Sequence, residues 1–139
     1  MYKNINLQFL ISYVGFLPYL IVIIDKYFLK QIDVKILESF SIYYSIIILV
    51  FIGAINWDLK EKVSKKMVFY GVLPSFFSVF IIIIYLYNFN VLILLISYLL
   101  LQLFLDYFII YKKSNHKNAY YFLRLPLTTL IVLSLIIIQ

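Results

Sequence analysis

From Met67 to Tyr87 the chain runs 21 residues without a charge, and Ile81–Ile84 is an unbroken isoleucine run. A helix needs about 20 mostly apolar residues to cross the hydrocarbon core of a bilayer. A transmembrane β-strand would instead alternate apolar and polar residues, and this run does not. Comparable runs lie at residues 6–24, 36–57, 91–111 and 120–138. With 67–87 they predict an all-α integral membrane protein: a five-transmembrane-helix bundle forming a single transmembrane domain over residues 1–139. The connections between runs are too short for an extramembrane domain.

Composition agrees. The chain is 65% hydrophobic and 13% charged, against about 45–50% and 25% in soluble domains. A soluble enzyme, a nucleic-acid-binding domain and a disordered linker are therefore excluded. The absence of cysteine excludes a disulfide scaffold. The first run is followed by Asp25, Lys26 and Tyr27 rather than by a small-residue cleavage site, so it reads as a retained helix and not a signal peptide.

The net charge of +6 is an orientation signal in a membrane chain. Five crossings put residues 1–5, 58–66 and 112–119 on one face. That face carries Lys3, Lys60, Lys62, Lys65, Lys66, Lys112, Lys113 and Lys117, eight in all. The opposite face carries three, Lys26, Lys30 and Lys35. The positive-inside rule then predicts the N-terminus inside and the C-terminus outside; the expected location is a bacterial or mitochondrial inner membrane. Tyr and Trp residues cluster near the ends of the runs, as interfacial anchors do.

Glu38 stands at the edge of the second run, and two ionisable residues fall deeper inside the predicted spans: Asp106 near the end of the fourth and Arg124 near the start of the fifth. At about 1.5 Å per residue both lie roughly 7–9 Å below the basic face. A lone charge in lipid costs several kcal/mol, so such charges pair or face a cavity. The expected arrangement is an Asp106–Arg124 ion pair joining the two helices; the alternative is an Arg124 that snorkels to the headgroups. Asn56, Trp57, Gln102, Tyr120 and Thr128 are candidates for a polar or interface patch around the pair. They read equally as interhelical hydrogen-bond ties. Gly15, Pro18, Gly53, Gly71, Pro74 and Pro126 are candidate kink and close-packing positions. No catalytic constellation and no metal-ligand set is present, and no cofactor is implied. His116 is the single histidine and sits in a lysine-rich loop. The expected partners are the lipid bilayer and other membrane protein subunits, with no nucleic acid.

Five short motifs occur in order: VGFLPY at Val14–Tyr19, FIGAINW at Phe51–Trp57, GVLPS at Gly71–Ser75, Asp106, and YYFLRLPLTT at Tyr120–Thr129. This pattern resembles the transmembrane protein 69-like family, a small bacterial and mitochondrial membrane domain of unknown function. The resemblance spans nearly the whole chain and implies a compact five-helix membrane protein with no established activity. The second helix of that family usually ends His-Trp-Gly, whereas this chain has Asn56, Trp57 and Asp58, which removes the ionisable imidazole. The residues lead to two functional expectations. One is a structural, accessory or assembly component of a membrane complex, without enzyme activity. The other is a small-molecule or lipid-binding or transport bundle with a polar pocket near Asp106 and Arg124.

Overall fold

The computed structural model describes residues 10–55, 65–112 and 120–139. Five helices are long and apolar enough to cross a membrane, and there is no strand among the described residues. We call them α1 (Leu10–Leu29), α2 (Val34–Ile55), α3 (Lys65–Leu86), α4 (Leu92–Asp106, continued by a π turn over Tyr107–Tyr111) and α5 (a π turn over Tyr120–Arg124 leading into Leu125–Ile138).

The chain divides into two compact units, residues 1–41 with 96–139, and residues 42–95. In the first, α1 and α5 run parallel. The Tyr13 hydroxyl donates to the Phe122 carbonyl at 2.7 Å, and the Tyr27 hydroxyl donates to the Ile137 carbonyl at 2.7 Å. These ties are fourteen residues apart on α1 and fifteen on α5. Tyr19, Val22, Leu99, Leu103, Ile131, Leu135 and Ile138 form the apolar core of this unit.

The apolar run of the sequence ends at Ile24 and predicts a loop at Asp25 and Lys26. Instead α1 continues through a π turn, Asp25–Leu29, with Asp25 only 5% exposed. Two contacts make this extension possible. The Asp25 carboxylate accepts from the Ile32 amide at 3.0 Å, and Lys30 closes the turn in the left-handed region (φ 53°), donating to the Asp25 carbonyl at 2.6 Å. Asp33 then caps α2, its Oδ1 accepting from the Lys35 amide at 2.8 Å, the usual task of Asp before a helix.

Within the second unit, α2 and α3 pack antiparallel. Tyr43 meets Tyr85 edge-on at 5.5 Å near one end, and Gly53 meets Gly71 and Pro74 near the other. A Cβ at Gly53 would stand 2.6 Å from the Gly71 carbonyl oxygen and 2.9 Å from the Pro74 ring, so the approach requires glycine. Buried Ser45, Leu49 and Gly53 repeat every four residues along α2 and face inward with Gly71, Pro74, Ser78 and Ile81 of α3. Asn90 caps α4, accepting from the Leu92 amide at 2.9 Å.

Candidate functional site

Polar side chains of the first unit gather in two places. The deeper one is built on α4 and α5. Tyr98, Gln102 and Asp106 follow at four-residue intervals, which places them on one face of α4. On α5, Arg124 ends the π turn and Thr128 follows one turn later. Arg124 Nε donates to Asp106 Oδ2 at 2.6 Å, with the two side chains 14% and 3% exposed. Charge-assisted pairs of this length are the strong ones.

Tyr120 is also here. It is buried, and its hydroxyl donates to the Leu103 carbonyl at 3.2 Å. Its ring lies 5.2 Å from that of Tyr107, which lies 6.5 Å from that of Tyr121. Thr128 is fully buried. Gln102 is 2% exposed, yet neither its amide nitrogen nor its amide oxygen has a hydrogen-bond partner, and neither does Arg124 Nη2. Asn56, Trp57 and His116 lie outside the described residues, so the expected gathering of Trp57 with Arg124 is not part of this geometry.

The prolines have local consequences. Pro126 sits in the first turn of Leu125–Ile138, where its missing N–H leaves the carbonyl four residues earlier without its α-helical donor. That carbonyl is Phe122, and the Tyr13 hydroxyl takes it. Pro18 sits in the first turn of Leu17–Ile24, just after α1 is interrupted by a turn at Gly15–Phe16. Pro74 lies inside α3, which continues through it.

The second polar cluster was missed by sequence reading. Lys26 Nζ pairs with Glu38 Oε1 at 3.1 Å and also donates to the Ile138 carbonyl. Gln139 Nε2 donates to the Glu38 carbonyl at 3.1 Å and to Ser41 Oγ at 3.3 Å. The cluster ties the end of α1, the start of α2 and the end of α5. An acidic-basic pair twelve residues apart across a predicted loop was its only sequence signal. Near it, Pro18, Val22, Ile32, Leu37 and Phe40 line an open apolar groove of about 700 Å³ with Asp25 at its wall. Among the described residues, no three His, Asp or Glu side chains come together as a metal site would need.

No curated protein and no solved structure matches the chain. The profile of one family matches residues 6–139. All five helices and both polar clusters lie inside that match, and the chain belongs to the family described as protein of unknown function (DUF3429).

Proposed function

We propose that this chain is a multi-pass inner-membrane protein, bacterial or mitochondrial, serving as a structural or accessory component of a membrane complex. The resemblance to the transmembrane protein 69-like family fits this reading. One observation carries it: five polar side chains tie one helix to another. Tyr13, Lys26, Tyr27, Tyr120 and Arg124 each donate to a carbonyl or carboxylate on another helix of their own unit. Such ties hold helices together and build no pathway across a membrane. Crosslinking followed by mild-detergent purification tests the reading. A membrane protein recovered in fixed ratio supports it, and a lone monomer under gentle extraction overturns it. The eight-to-three lysine asymmetry supports an inside N-terminus, and a tag following Gln139 should then be accessible only from outside.

A second reading has its own support. The unpartnered Gln102 amide and Arg124 Nη2, beside the Asp106–Arg124 pair, favour a small-molecule or lipid-binding bundle with its polar site in that layer. Loss of a bound molecule on Gln102→Leu, seen by native mass spectrometry, tests it; an unchanged spectrum overturns it.

A further inference from the structure

Gln102 stands eleven residues into the twenty of Leu92–Tyr111, about 15 Å from either end of the helix. This is the middle of a membrane span. An amide there without partners loses the full solvation of one acceptor and two donors. Because both ends of the amide are unpartnered, exchanging its oxygen and nitrogen changes nothing. Arg124 Nη2 adds two more donors. One helical turn nearer the end of α4, protein groups meet one another: Arg124 Nε meets Asp106, and Tyr120 meets the Leu103 carbonyl.

What is missing from this layer is chemically defined. The guest must accept, since the open donors outnumber the open acceptor. It must also donate, because Gln102 Oε1 is open. It must be neutral: Asp106 and Arg124 already cancel, and an added ion would leave a net charge in a low-dielectric interior. A hydroxyl oxygen meets all three conditions. A carboxylate or phosphate fails the charge condition, and a ketone or ester carbonyl cannot donate.

We propose that Gln102 and Arg124 Nη2 form an intramembrane binding site for a neutral hydroxyl oxygen, supplied by water or by the alcohol of a lipid. The proposal rests on the second reading above and names its ligand class. The site is neutral and holds its guest by paired donors and an acceptor. It therefore selects an alcohol over the corresponding acid of the same chain length.

The full chain in phosphatidylcholine nanodiscs provides the test, and the absence of cysteine makes any introduced thiol unique. For water as the source, Gln102→Cys is treated with a small neutral thiosulfonate, which the low-dielectric interior does not exclude. It should react about ten-fold faster than Leu99→Cys, a buried apolar position on the same helix, because only a hydrated thiol ionises readily. Thr128→Cys, a nearly isosteric change one turn beyond Arg124, reports on the same layer should Gln102→Cys not fold. For a lipid alcohol as the source, glycerol monooleate should raise the Tm of the native chain saturably and leave Gln102→Leu unchanged. Sodium oleate should do neither. A rise with oleate equal to that with monooleate, lost in Gln102→Leu, keeps a pocket but overturns the neutral hydroxyl. Both the proposal and the pocket reading fall if the reporter thiols react no faster than Leu99→Cys, neither additive shifts the Tm and Gln102→Leu melts higher than the native chain. That result is expected of a dry amide replaced by an apolar isostere.

Discussion

At the Lys26 end of α5 Lys26, Tyr27 and Gln139 each reach a main-chain oxygen; at the other end Arg124 reaches a carboxylate and the Gln102 amide reaches nothing. Lys26 and Tyr27 reach the carbonyls of Ile138 and Ile137, and Gln139 reaches that of Glu38. Arg124 reaches the Asp106 carboxylate, while its Nη2 and the Gln102 amide stay unpartnered. Helix geometry explains the difference. The last four carbonyls of a helix have no intrahelical donor and carry the negative end of its dipole, so a cation at that end meets ready acceptors. Carbonyls in mid-helix are already occupied. Side chains reach such carbonyls where the ladder is open or the donor is local, as at Glu38 near the start of α2; two cases matter at the Arg124 end. The Phe122 carbonyl, deprived of its i+4 donor by Pro126, takes Tyr13, and the Leu103 carbonyl, just ahead of the π turn at Tyr107, takes Tyr120. A short buried hydroxyl such as Ser41 can still bond back to its own helix, at the Glu38 carbonyl, but the longer Gln102 and Arg124 side chains depend on a partner side chain or a guest.

The largest effects should therefore come from the deeper cluster. Asp106→Asn or Arg124→Gln leaves its partner as an uncompensated buried charge, which costs about 3–5 kcal/mol. The double variant should cost clearly less than the sum of the two. Asp106→Leu with Arg124→Met, which removes both charges and keeps the volume, should be close to neutral. Reversible unfolding in mixed micelles measures all of these. Additive single effects would mean that the two groups are not coupled.

Lys26→Met probes the shallower cluster. It removes a cation from the end of α5 and unpairs Glu38, whose side chain is 29% exposed. The expected cost is about 1–2 kcal/mol, because water can replace Lys26 at a helix end. A loss as large as that of Asp106→Asn, in the same unfolding assay, would erase the contrast between the two clusters.

This contrast also explains what could be read from the chain. The five apolar runs were legible because bilayer thickness fixes their length, and each helix falls within a few residues of its run. Asp106 and Arg124 were legible because a charge inside an apolar run stands out. Asp25, Lys26 and Glu38 were not, since at the edge of a run a charge looks like loop. What brought them inside is a π turn closed by a left-handed Lys30, and neither hydropathy nor helical periodicity encodes that conformation. Ser41 and Ser45, both fully buried on α2, were passed over for a related reason: a serine in an apolar run is ordinary. Only the packing shows that they share a four-residue repeat with Leu49 and Gly53.

The case of Phe122 gives a smaller and cleaner test. Tyr13→Phe removes the hydroxyl that takes the carbonyl freed by Pro126. It should cost about 0.6–1 kcal/mol, the usual worth of an interhelical hydrogen bond in a membrane protein. With Pro126→Ala in place, residue 126 regains its N–H and can bond the Phe122 carbonyl within α5. Tyr13→Phe should then cost almost nothing. An undiminished cost in the Pro126→Ala background would show that the tyrosine acts through packing and not through the carbonyl.

The smallest expected effect has the opposite sign. Lys30 holds a left-handed conformation with φ 53° and ψ 38°, which costs a residue with a side chain about 1–2 kcal/mol. Glycine at this position relieves that strain but loses about 0.5–1 kcal/mol through its freer unfolded chain. Lys30→Gly should therefore stabilise the chain by about 0.5 kcal/mol, a small rise in the unfolding midpoint. The Lys30 side chain is exposed and has no part in the Lys26–Glu38 pair, so the change tests the backbone alone. A fall in the midpoint would mean that the π turn is held by the lysine side chain and not by the Asp25 contacts. The end of α1 would then depend on side-chain partners as much as the Arg124 layer does.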